Sequence, residues 1–121
     1  MPLNKAPIVA QKIADNELQL LLFMEPSLAY FQGHFPDFPI LPGVAQIDWA
    51  IYYGQTLLNC PNKFAGMEVI KFQEAILPNQ TVSLTLKWQS DKGMLYFSFN
   101  SHGVQPVKTH SSGRIKLVNA A

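Results

Sequence analysis

Three residues of this chain are of the kinds that move protons or hold developing charge: Asp48, His34 and Gly43. Asp48 falls near the middle of a segment, Val44 to Leu58, that is apolar on almost every side through Val44, Ile47, Trp49, Ala50, Ile51, Tyr52 and Leu57. A carboxylate buried there without a partner is expensive, so the residue is either a structural hydrogen-bonding group or a functional acid. His34 stands in the run Gly33-His34-Phe35-Pro36, close to the aromatics Phe31 and Phe38. Taken alone, such a histidine suits an ordinary loop position as well as a general base. Gly43 follows Pro42 where the apolar segment opens, so at a helix start its N–H lacks an intrahelical partner and favours negative charge. Without a Cβ, it also lets a ligand carbonyl approach closely. A histidine base, a buried acid and a helix-terminal amide suit one chemistry together. They can remove a proton beside a carbonyl, hold the resulting oxyanion and protonate a leaving group.

The surrounding pattern predicts the elements that position these groups. Ile8 to Ile13 and Leu18 to Met24 read as strands joined by a turn at Asp15-Asn16. Prolines 36, 39 and 42 forbid a helix between Tyr30 and Gly43 and favour a stiff extended path. Val44 to Leu58 is apolar all round and about four turns long, the pattern of a buried core helix. A strand is expected between Phe64 and Leu77, ended by Pro78-Asn79. Val82, Leu84, Leu86 and Trp88 alternate with polar residues, and Asp91-Lys92-Gly93 turns into Leu95, Phe97 and Phe99. In the last strand Ser111, Gly113, Ile115 and Leu117 take one face. His110, Ser112, Arg114 and Lys116 take the other, so His110 and the loop residue His102 are expected at the surface. Two strands, a buried helix and about four strands predict an α+β fold, a curved antiparallel sheet wrapped around one central helix.

The run Gly33-His34-Phe35-Pro36-x-x-Pro39-x-x-Pro42-Gly43-Val44-x-x-x-Asp48 resembles the active-site signature of the 3-hydroxyacyl-[acyl-carrier-protein] dehydratases of the FabA/FabZ type. In that family the histidine precedes a helix Glu or Asp by the fourteen residues that separate His34 from Asp48. Phe72-x-x-Ala75-x-Leu77-Pro78 is similar to the strand and turn that follow the helix. The chain also resembles the small aryl polyene-type (ApeI-like) dehydratases. The resemblance implies a single hot-dog domain over residues 1–121 that dimerises by joining its sheets edge to edge, with active sites at the subunit interface. It further implies that His34 takes the C2 proton, that Asp48 of the other subunit protonates the departing hydroxyl, and that the Gly43 amide holds the thioester oxygen. Phe35, Val44 and Tyr52 would line the substrate, and neither metal nor cofactor would be needed. The product would be a trans-2-enoyl thioester, in fatty-acid or aryl polyene-type synthesis. Three positions depart from the common pattern. Asp37 replaces a glycine, the acid is Asp in place of the commoner Glu, and Tyr52 replaces a glutamine one helical turn beyond it, where either its hydroxyl takes over the hold on Asp48 or the site is tuned for a different substrate.

Composition narrows the alternatives. The 121 residues are 48% hydrophobic and 14% charged with a net charge of +1, which supplies a core and no field for nucleic acid. The first residues do not resemble a signal peptide and Leu18 to Met24 is too short to span a bilayer, so a cytoplasmic protein is expected. Cys60 is alone and reads as a small core or helix-end residue, and no His/Cys spacing suggests a metal site. A hot-dog thioesterase would use a helix carboxylate without the His-Phe-Pro segment, and a non-catalytic acyl or acyl-carrier binding module would need neither His34 nor Asp48. An acyl carrier protein is the expected partner, and Arg114 with Lys116 reads either as solvated cations that keep an edge strand from pairing or as the candidate basic docking pair.

Overall fold

The computed structural model describes residues 4–32 and 39–119. His34 and Phe35 therefore lie outside the described residues. Strands β1 (Ile8–Ala14) and β2 (Glu17–Phe23) form the first hairpin, and Asp15 takes the left-handed backbone of its turn. A short 3-10 turn (Ala29–Phe31) precedes the helix α1 (Gly43–Leu57), and β3 (Lys63–Phe72), β4 (Thr81–Gln89), β5 (Met94–Ser101) and β6 (Thr109–Val118) follow. The strands make one sheet in the order β1-β2-β4-β5-β6-β3, with every neighbour antiparallel.

Alternation along the strands builds the core. Leu18, Leu20 and Leu22 of β2 pair with Leu86, Leu84 and Val82 of β4. Leu84 and Leu86 in turn pair with Phe99 and Phe97 of β5, so the apolar side chains of three strands fall in register on one face. All of these are buried, as are Ala45, Trp49, Ala50 and Tyr53 of α1 and the half-turn Leu41 before it. Each large side chain so buried contributes about 1.5–3 kcal/mol. The sheet thus lays its apolar face on α1.

The helix is not buried all round. Positions 44, 48 and 52 recur at a spacing of four, and together they form a face turned away from the sheet. Val44 is 76% exposed, Tyr52 is 42% exposed, and Asp48 is exposed with them. The expectation of a buried Asp48 is corrected accordingly, because a single sheet covers a single side of the helix. At its other end α1 stops where Asn59 adopts a left-handed backbone and the N–H groups of Leu58 and Cys60 both donate to the Gly54 carbonyl. Cys60 is buried, and burial pushes its thiol up to about 11.

The edge strand β3 is irregular. Its pairing with β6 shifts register twice, between Phe64 and Gly66 and between Glu68 and Lys71. Val69 at the second shift has φ of 56°, a backbone that β-branched residues rarely adopt. Phe64, Met67, Val69 and Phe72 of this strand are all exposed.

His110 is also corrected. It is buried, because the β5–β6 register shifts between Phe99 and Asn100 and the segment after β3 closes over it. Gln73 and Glu74 both donate their N–H groups to the His110 carbonyl. The imidazole Nδ1 lies 3.1 Å from the Glu74 carbonyl oxygen, which only accepts, so Nδ1 carries the proton.

Candidate active site

Gly43 is the first residue of α1, and Pro42 is its N-cap without a side-chain hydrogen bond. The Pro42 carbonyl accepts from the N–H groups of Ala45 and Gln46 at 3.1 and 3.2 Å, so it points into the helix. A planar trans peptide places the Gly43 N–H opposite that carbonyl, out of the helix end. Gly43 lines a cavity of about 500 Å³ together with Ile40, Leu41, Val44, Gln46 and Phe72. The Phe72 ring lies directly over Gly43, and a Cβ at that position would stand 2.6 Å from its Cζ atom. The group that approaches Gly43 in this structure is therefore an aromatic ring, on an exposed side chain.

Asp48 follows on the open face of the same helix, and its side chain makes no hydrogen bond or ion pair among the described residues. Of the two alternatives for Tyr52, the bond from its hydroxyl to Asp48 is not formed in this structure. Tyr52 instead meets Tyr53 edge to face at 5.2 Å, and the Lys5 ammonium lies 4.0 Å over the Tyr52 ring. The same N-terminal segment is anchored by Trp49, whose indole N–H donates to the Asn4 carbonyl at 3.2 Å. Behind Tyr52, burial and then the neighbouring Tyr52 push the Tyr53 phenol up to about 12, so it remains a neutral group in the core.

Gly43, Val44, Asp48 and Tyr52 are thus assembled on one open face of α1, while Arg114 and Lys116 lie on β6. Arg114 Nε is 3.7 Å from the Glu68 carboxylate across the β3–β6 pair, and Lys116 donates to the Lys92 carbonyl at 3.3 Å. Sequence reasoning missed Gln46 and Ser111. Both are buried, and the Ser111 hydroxyl donates to the Gln46 side-chain oxygen at 2.6 Å. The signal was helical spacing, since Gln46 stands four and seven residues before the sheet-facing Ala50 and Tyr53. Among the described residues no group of His, Cys, Asp or Glu side chains is arranged to hold a metal ion, and no helix is long and apolar enough to cross a membrane.

One helix held on an antiparallel sheet, with an acid on its open face and a glycine amide at its start, defines a hot-dog fold of the dehydratase type. The chain belongs to the ApeI-like family of dehydratases, whose family model matches residues 10–114. It is 38% identical to a chain of the dehydratase heterocomplex ApeI:P from Xenorhabdus doucetiae, covering 93% of this chain and 96% of that one with a TM-score of 0.82. An uncharacterized protein from Erwinia carotovora subsp. atroseptica is 39% identical over 98% of this chain and 97% of its own, with a TM-score of 0.81. The 3-hydroxyacyl-[acyl-carrier-protein] dehydratase FabZ of Polynucleobacter necessarius subsp. necessarius is 33% identical over an alignment of 75 positions that covers 55% of this chain and 50% of that protein. The match thus spans about half the length of such curated relatives.

Proposed function

We propose that this chain, as one hot-dog domain over residues 1–121, removes water from 3-hydroxyacyl thioesters carried by an acyl carrier protein. The observation that carries the reading is the arrangement on α1. An exposed Asp48, without a partner among the described residues, shares the helix with Gly43, which lines a cavity at the helix start. In this mechanism His34 takes the proton from C2, and the electron pair left behind moves toward the thioester carbonyl, whose oxygen accepts from Gly43 N–H. Collapse of that enolate forms the C2–C3 double bond and expels the 3-hydroxyl, which leaves as water with the proton of Asp48. His34 ends protonated and Asp48 ionised, and one proton transfer resets the pair. Phe35, Val44 and Tyr52 bound the acyl chain. The pathway is fatty-acid or aryl polyene-type synthesis, in the cytoplasm.

The site is completed by a second copy. The uncovered face of α1 and the exposed apolar side chains of edge strand β3 are large features for one chain to leave in water. A homodimer joined along β3 covers them and brings His34 of one subunit to Asp48 of the other. The Xenorhabdus relative is a heterocomplex, and a measured mass of twice this chain for the purified active protein separates the two arrangements.

The experiment that tests the activity is mass spectrometry of a panel of 3-hydroxyacyl carrier-protein thioesters after incubation with the enzyme. The expected product is the thioester less one water. Release of free acid would make the protein a thioesterase, and an unchanged panel would favour a binding module.

Carrier docking is assigned to Arg114 and Lys116, which with Lys71 place positive charge around β6 and its β3 neighbour. Replacing Arg114 and Lys116 together by Glu should raise KM for a carrier-protein substrate and weaken its salt dependence. Turnover of a short pantetheine thioester should hardly change. Equal losses on both substrates would remove the docking role.

A further inference from the structure

Leu41, the residue two before Gly43, is held at both of its backbone groups. Its N–H donates to the Ile76 carbonyl at 2.9 Å, and its carbonyl accepts from the Gln46 side-chain amide at 3.1 Å. Gln46 is in turn held by Ser111 of β6 at 2.6 Å. Gln46 is 4% exposed and Ser111 is fully buried, so neither bond competes with water. Between Leu41 and Gly43 stands Pro42, whose ring locks φ at the observed −61°. With the Leu41–Pro42 peptide pinned, φ of Pro42 locked and the Pro42 carbonyl tied to Ala45 and Gln46, the direction of the Gly43 N–H has no remaining freedom.

We propose that Gln46 and Ser111 form a positioning relay that aims the Gly43 amide at the thioester oxygen, an inference that rests on the oxyanion role proposed for Gly43. Neither side chain touches the substrate. Gln46 uses both ends of its amide, the nitrogen as donor to Leu41 and the oxygen as acceptor from Ser111, so no apolar residue of the same shape replaces it. The relay ties the helix start to β6, the strand whose His110 also holds the segment following β3. The two walls of the cavity, residues 40–46 and 72–75, are therefore fixed to one strand by adjacent residues.

The test uses full-length Gln46→Met, Ser111→Ala and the double variant. Amide donors aimed at a developing oxyanion act in the transition state, so their misalignment lowers kcat and leaves KM nearly unchanged. Gln46→Met should lose about tenfold to a hundredfold in kcat, the range for misaiming such a donor without deleting it. Ser111→Ala should lose about tenfold or less, and the double variant should resemble Gln46→Met alone, because both changes break one chain of bonds. Activity is expressed per folded molecule, and Ser111→Ala, which deletes one oxygen, keeps the test valid if Gln46→Met folds poorly. A second readout is the amide resonance of Gly43 in protein labelled on glycine. It should move in Ser111→Ala while that of Gly103, in a distant turn, stays. Variants with normal kcat per folded molecule, or a Gly43 resonance that ignores Ser111→Ala, would overturn the relay. A wild-type protein that fails to dehydrate, with a Gly43 resonance that still responds to Ser111→Ala, would instead overturn the oxyanion role and leave the relay supported.

Discussion

Asp48→Asn is expected to lower dehydration by about a hundredfold to ten-thousandfold while leaving the folded protein almost as stable as wild type. The first figure is the usual contribution of a positioned acid or base to proton transfer. Asparagine keeps the shape and a hydrogen-bonding oxygen, yet it has no acidic proton to give the departing hydroxyl. The second expectation follows from placement. Asp48 lies on the open face of α1 and has no partner among the described residues, so the substitution strands no buried group. Changes at such positions usually alter stability by less than about 0.5 kcal/mol. Turnover and thermal midpoint measured on the same preparation decide between two roles. If the midpoint falls sharply while activity per folded molecule holds, Asp48 supports the structure and the proton donor must be sought elsewhere.

The exposure of Asp48 also shows where sequence reasoning stops. Alternation in Val82 to Trp88 and Leu95 to Phe99 announced two paired strands, because a half-buried strand must place apolar groups at every second residue. Apolarity on every side of Val44 to Leu58 announced a helix with neighbours all round, and the chain's own sheet supplies them on one side. Apolarity alone does not record which side of the helix the chain's own sheet leaves open. His110 was misplaced for a related reason. Strict alternation from Ser111 to Leu117 sends it outward, and the register shift at Phe99 and Asn100 that turns it inward depends on how β5 meets β6. Gly43, His34 and Asp48 stood out because their types and spacing mean something locally. The Ser111 to Gln46 bond joins residues 65 positions apart, and no local pattern announces such a contact.

Mixing two inactive variants should restore activity if the site is shared between subunits. Purified His34→Ala retains Asp48, and purified Asp48→Asn retains His34. When subunits exchange at random in a 1:1 mixture, about half of the dimers are hybrids. If His34 of one subunit works with Asp48 of the other, each hybrid holds one site with both native residues and one with neither. About a quarter of all sites are then intact, and roughly a quarter of the wild-type rate should return, against a background near zero for either variant alone. The alternative has a different signature. Were both residues drawn from the same subunit, every site in every hybrid would carry one defect, and no activity would return however complete the exchange. Exchange itself is followed independently by tagging one variant and recovering the untagged one with it. The open face of α1 and the exposed apolar side chains of edge strand β3 are the observations that favour the shared site. Recovery near a quarter would place the reaction between two copies, whereas proven exchange without recovery would confine it to one.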